Sequence, residues 1–378
     1  MKTPLAWMNL IHEKTRLLVA IAGVAFAVLL IFMNLGFLGS LTKTASIVYD
    51  HLNADVFLVS PTTIEMSAAK TFPRERLYQA AGTTGVERAM SLYSGYQQWR
   101  NPETRVSRAI YIYGFNPNDP VFDFPELATL ADRQELERPN VAFIDRLSRP
   151  EFGPQDTGTA TEVNRRRISI AGQFTMGGGF AADGVAIVSD RQFRRLFERQ
   201  PLDFINLGLI QLAPGIDPEA MVAELNGFLP EDVEAMTKAQ IIERDRAYWI
   251  GTTSTGFIFS LGVTVAFTVG TVIVYQILYS DISEHLSEYA TLKAMGYRNH
   301  YLFGVVLQEA VILAVMGYVP GFALSMGLYE FTLRATNLPI SMNLGRAVFV
   351  FSLAVVMCAL SGLISVRKAM TADPAAVF

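Results

Sequence analysis

The chain has 378 residues, 51% of them hydrophobic and only 17% charged, with a mean hydropathy of +0.28. Soluble domains average about a quarter charged residues, so part of this chain is expected in lipid and part in a polar folded domain. A net charge of −4 argues against a nucleic-acid partner, and the lone Cys358 excludes an intrachain disulfide. His12, His51, His285 and His300 are too scattered to suggest a metal site.

Residues 1–16 form a short cytoplasmic segment in which Trp7 and Leu10 sit among Lys2, Lys14 and Arg16. It reads equally as an amphipathic surface helix or as a plain basic flank. Residues 17–38 carry no charge, and about 20 apolar residues suffice to cross a bilayer. The run is too long for a typical signal peptide and no A-x-A site follows, which favours an uncleaved anchor. The basic residues before it put the N-terminus inside the cell.

Residues 39–252 contain no window apolar enough to span a membrane and are therefore expected in the periplasm. Between Ser40 and Thr252 there are 22 basic and 28 acidic residues, a net of −6; long loops are translocated whatever their charge. Leu41, Ala45, Val48, Tyr49 and Leu52 recur at helical spacing, as a stalk continuing the first span. Strand-like runs follow at 55–60 and 108–114, with a helix over 71–81. An inserted subdomain is expected at about 139–206, with strands near 141–144, 167–170 and 184–189, on a core of 54–138 and 207–237. Gly177, Gly178 and Gly179 form a connection and not a phosphate loop, since no GK[ST] follows. The run Arg165–Arg167 reads as a solvated loop or as a face toward an acidic partner. A strand over 204–212, a helix over 218–229, a strand near 233–236 and a second stalk over 238–248 complete the domain.

The second span is placed at 255–279. Residues 280–301 then turn polar, as a cytoplasmic helix over Asp281–Met295 with a capping box at Asp281 and Glu284 and a stop at Gly296. The third span, 302–328, is interrupted by Gly317, Pro320 and Gly321; the proline is expected to kink it and the glycines to permit close helix approach. Glu309 is its one acid, read either as a functional intramembrane group or as a side chain that snorkels or pairs with Arg298. A periplasmic loop over 329–346, a span over 347–366 and a cytoplasmic tail over 367–378 end the chain. The fold class is thus a membrane protein of four transmembrane helices, with a large α/β periplasmic domain inserted between the first and second.

No Walker A, HExxH, G-x-S-x-G or CxxC motif is present, and no local acid pair or nucleophile set. Catalytic residues, cofactors and metal ligands are therefore expected to be none, and any driving energy must enter through the polar segment at 280–301.

That segment is where a resemblance becomes specific. The stretch EHLSEYATLKAMGYRNHYL running into LQEAVILAVMGYVPG, with the ending RKAMTADPAAVF, resembles the FtsX/MacB-type ABC transporter permeases and most specifically their DevC-like branch. Glu288, the Lys293–Gly296 run and Glu309 match positions of that family, whereas His285 departs from the arginine common in its MacB-like members. The resemblance implies a non-catalytic permease whose ATPase-coupling residues are Glu284, His285, Glu288, Tyr289, Lys293 and Gly296. It further implies a separate ABC ATPase subunit, a permease homodimer, a periplasmic adaptor and a TolC-like outer-membrane channel. The cargo would be a glycolipid or another amphiphilic envelope component, moved by mechanotransmission at the inner membrane among its lipids. LolC/LolE-like lipoprotein release and MacB-like drug or peptide efflux are neighbouring readings. A membrane receptor is the reading from another class.

Overall fold

The computed structural model describes residues 14–177, 182–284, 291, 295 and 299–371. Expectations for residues 1–13, for Gly178 and Gly179, and for Asp373–Pro374 lie outside them. The chain divides into two compact units: Ser40–Thr253 with Thr336–Pro339, and the remainder.

The α/β unit begins with the last turns of helix α1 (Lys14–Asp50). The strands are β1 (Val56–Val59), β2 (Phe72–Pro73), β3 (Val86–Arg100) and β4 (Ser107–Phe115), with helix α2 (Glu75–Ala81) before β3. Thr129 caps the short α3 (Leu130–Gln134) with a reciprocal Asp132 box, and β5 (Val141–Asp145), β6 (Ala160–Val163), β7 (Arg166–Phe174) and β8 (Val185–Ser189) follow. Next come α4 (Asp190–Leu196), β9 (Phe204–Ile205), β10 (Leu207–Leu212), α5 (Pro218–Phe228), β11 (Glu234–Thr237) and α6 (Lys238–Gly251). Asp217 and Thr237 accept backbone N–H bonds at the starts of α5 and α6, which stabilises both first turns.

Nine strands form one sheet in the order β11-β1-β10-β3-β4-β8-β5-β7-β6. Its far end returns to β3 through the pairs Trp99–Val163 and Arg100–Glu162, so β3, β4, β8, β5, β7 and β6 close into a six-stranded barrel. The long β3 makes this possible: residues 86–92 pair with β10, and residues 99–100 pair with β6. All six barrel strands contribute to one buried cluster, including Trp99, Ile110, Ile144, Val163, Ile170 and Val188. The Trp99 indole donates to the Phe152 carbonyl at 3.1 Å, which satisfies its buried N–H. The strands of the expected insertion at 139–206 therefore share a single sheet and a single core with β3 and β4. The sequence reading missed this because closure depends on β3, for which it proposed no strand. The helix expected from Thr71 starts at Glu75, after the two-residue β2 pairs with β9.

The opposite face of the sheet is aromatic. Val48, Tyr49 and Leu52 at the end of α1 pack there with Phe57, Tyr113, Phe122, Phe124 and Ile241. Burying large rings on both faces of a sheet is how a domain of this size gathers its hydrophobic stabilisation.

The second unit contains the first part of α1, then α7 (Ser254–Glu284), α8 (Asn299–Thr336) and α9 (Leu344–Thr371). Among the described residues four helices, counting α1, are long and apolar enough to cross a membrane. Their packing uses small residues: a Cβ added at Gly317 would lie 2.4 Å from the Val24 Cβ, and one at Gly321 would lie 2.8 Å from the Ala25 carbonyl. Ser361 and Ser365 of α9 donate to the Thr271 and Tyr275 carbonyls of α7, at 2.7 and 3.3 Å. Pro320 lies inside the continuous α8.

Candidate functional site

Helix α7 carries the first residues of the polar segment. An N-cap needs extended backbone at its own position, whereas Asp281 is helical and buried within α7, which runs on to Glu284. The capping box expected at Asp281 and Glu284 is therefore not formed. Both carboxylates turn instead to one guanidinium: Arg16 of α1 lies 3.9 Å from Asp281, pairs directly with Glu284, and donates to the Ser280 hydroxyl at 3.5 Å. Ile282 beside them is buried against Val306 and Val366, so α7, α8 and α9 are joined at this level.

An open groove lies alongside, lined by Lys14, Arg16, Val19, Gln276, Ile277 and Ser280. Of the expected ATPase-contact residues, Glu284 belongs to this cluster, with its side chain about half exposed. His285, Glu288, Tyr289, Lys293 and Gly296 lie outside the described residues. Thr291 and Met295 are exposed and share a backbone hydrogen bond of 3.0 Å, at helical i to i+4 spacing.

Glu309 is fully buried on α8, beside the equally buried Val306, Ala310 and Leu313. Its carboxyl is turned into the helix bundle and does not reach out from it as a snorkelling side chain would. Arg298, the partner weighed for it, lies outside the described residues. The Arg16 cluster escaped the sequence reading, which used Arg16 only as a topology signal. The available sign was positional: a cation starts one apolar run and two acids end the antiparallel one, which places opposite charges at the same level.

Four membrane-length helices among the described residues, with a large α/β domain between the first and second in the chain, fit a multi-pass membrane protein. Residues 260–374 match the FtsX-like permease C-terminal family, a region that takes in α7 from Ser260, the polar segment, α8 and all of α9. No curated protein sequence matches the chain. Among solved structures, the extracellular domain of the noncanonic ABC-type transporter YknZ from Gram-positive bacteria is similar, with 15% identity and a TM-score of 0.35 over 49% of this chain and 100% of that one. The periplasmic region of MacB from Actinobacillus actinomycetemcomitans is similar with 9% identity and a TM-score of 0.38, over 52% of this chain and 94% of that one.

Proposed function

We propose that the chain is the permease subunit of an ABC-type export complex whose ATP hydrolysis resides on a separate subunit. The match of residues 260–374 to the FtsX-like permease C-terminal family carries this reading. A helical unit that has no ATP-binding motif of its own needs an external source of work, and the polar segment at 280–301 offers the charged surface for it. The ATPase docks on Glu284, His285, Glu288, Tyr289, Lys293 and Gly296. Two permeases pair in the inner membrane, with both termini cytoplasmic and the α/β domain periplasmic, where it meets an adaptor and a TolC-like channel. By the DevC-like resemblance of the polar segment, the cargo is a glycolipid or another amphiphilic envelope component.

Glu288→Ala is the direct test. Removing a side chain that anchors a docking surface weakens binding by about tenfold or more. The variant is expected to insert normally, to lose the co-purified ATPase in mild detergent, and to stop export. Undiminished co-purification together with normal export would overturn the docking assignment.

A further inference from the structure

Asp245 of α6 ties three segments of the α/β unit together, and it is only 1% exposed. Its Oδ2 accepts from the Tyr49 hydroxyl in the last turn of α1 at 2.8 Å and from the Met66 N–H at 3.1 Å. Its Oδ1 is sealed from solvent and accepts from no donor. Two neutral donors suffice for a carboxylic acid, whereas an ionised carboxylate out of water needs further donors or a paired cation. The groups around it do not supply that pairing. Glu65, next to Met66, is itself buried, and its charge opposes ionisation of Asp245. Strand β4 contributes Tyr111 and Tyr113, which line a cavity of about 60 Å³ beside Asp245 and bring no positive charge. Arg244, the neighbour on α6, points its Nη1 toward Glu234 at 3.5 Å, while its Nε and Nη2 are buried without a hydrogen-bond partner. Its pull on Asp245 is weaker than the effect of burial.

We propose that the Tyr49–Asp245–Met66 junction is a proton-controlled latch, closed while Asp245 carries a proton and opening locally when the carboxylate ionises. Since Oδ1 has no route to water in the closed arrangement, hydrating the charge requires α6 to part from Tyr49 and Met66. Packing is already incomplete at this point, because Ile47, Met66 and Trp249 border the cavity, so opening forfeits less contact here than elsewhere in the core. Helix α1 leads the chain into the α/β unit and α6 leads it out, so the latch joins entry to exit. It stands independently of the export reading. Linkage sets the size of the effect. Once hydrated, Asp245 returns to the ordinary carboxylate value, so opening releases a proton over the interval from 3.8 to about 7. The closed state is therefore favoured at low pH, and its advantage shrinks as pH rises to the upper value and is constant above it.

The test is hydrogen–deuterium exchange of the full chain in lipid nanodiscs between about pH 5 and pH 8, each rate corrected for the intrinsic pH dependence of amide exchange. The Met66 amide is the direct reporter, since it donates to Asp245 in the closed state. Protection in fragments covering 62–70 and 241–249 is expected to fall together as pH rises, by up to about a hundredfold across this range. The barrel strands β5 and β7 are expected to keep theirs. Asp245→Asn retains an acceptor for Tyr49 and Met66 but cannot ionise, and is expected to make protection at 62–70 independent of pH. Tyr49→Phe removes a donor that favours the charged form, so the pH at which protection stops falling is expected to move upward. Protection that ignores pH in the wild type, as a swing of Arg244 onto the ionised carboxylate would produce, overturns the latch. An unchanged pH dependence in Asp245→Asn overturns it too, as does a parallel loss in β5 and β7, which would mark global and not local opening. Should Asp245→Asn fail to fold, the wild-type series and Tyr49→Phe decide.

Discussion

Burial sets the charge of Asp245, and the opposing pull of the neighbouring Arg244 is the smaller effect. Removal from water raises its pKa from the ordinary 3.8 to about 7, against the hydrogen bonds from Tyr49 and Met66, with Glu65 pushing further in the same direction. Between those two values the folded protein holds a proton that the unfolded chain has released. The stability contributed by this group is therefore greatest below about pH 4, falls as pH rises, and is lost above about pH 7. The difference between those two values corresponds to a loss on the order of 4 kcal/mol. Asp145, also raised by burial, adds to the same trend. Asp245→Asn is expected to remove most of this slope and to be the more stable protein at pH 8, while matching the parent near pH 4. Unfolding midpoints at the two pH values measure it, and a wild type that gains stability toward pH 8 would show that the carboxylate is paired. No sequence pattern announces this residue. Asp245 stands in the run Glu243–Arg246, which reads as a solvated helix face, and only the packing of α1 and Met66 against it removes the water.

At the scale of elements, periodicity found what was regular and lost what depended on distant pairing. The strands near 56–59, 107–115 and 185–189 are runs rich in β-branched and aromatic residues with turns beside them, which are local signals. The 15-residue β3 is the strand on which barrel closure depends, yet residues 90–94 are all buried while the stretches on either side mix exposed, half-buried and buried positions, so no single alternation runs through it. Similarly, the polar letters from Ser280 onward suggested a new helix. The charge of Asp281 is met by Arg16 from another helix, so α7 continues through it. Helix contacts were legible where glycine marked them. Gly317→Val would drive a side chain into Val24, whose Cβ lies 2.4 Å from the new Cβ; overpacking of this kind costs about 1–3 kcal/mol. Gly327→Ala meets nothing within 4 Å and is the matched control. The first variant is expected to unfold at lower temperature in detergent than the parent, and the control to stay close to it. Equal behaviour would mean that α1 and α8 do not pack through this face.

For the molecule as a whole, the charge distribution carries an expectation about sides. Arg16 at the start of the first apolar run, and Arg367 and Lys368 at the end of the last, are basic residues of the kind retained in the cytoplasm. An even number of crossings returns the chain to its starting side, so the proposed orientation would have 280–301 inside and the α/β domain outside. The interior of that domain is buried in two large apolar clusters, so a protease should cut first at exposed turns. Among the candidates are the turn around Gly215, which has φ of +89° and nothing near its missing Cβ, and the segment around Gly158. A protease added from the periplasmic side of spheroplasts is expected to nick between Ser40 and Thr253 and to leave the epitope at 285–300 intact. Opened, inverted vesicles should show the reverse. If intact spheroplasts instead lose the 285–300 epitope while the domain survives, the orientation is inverted. The ATPase could then not reach its proposed docking residues, and the export reading would fail with the topology.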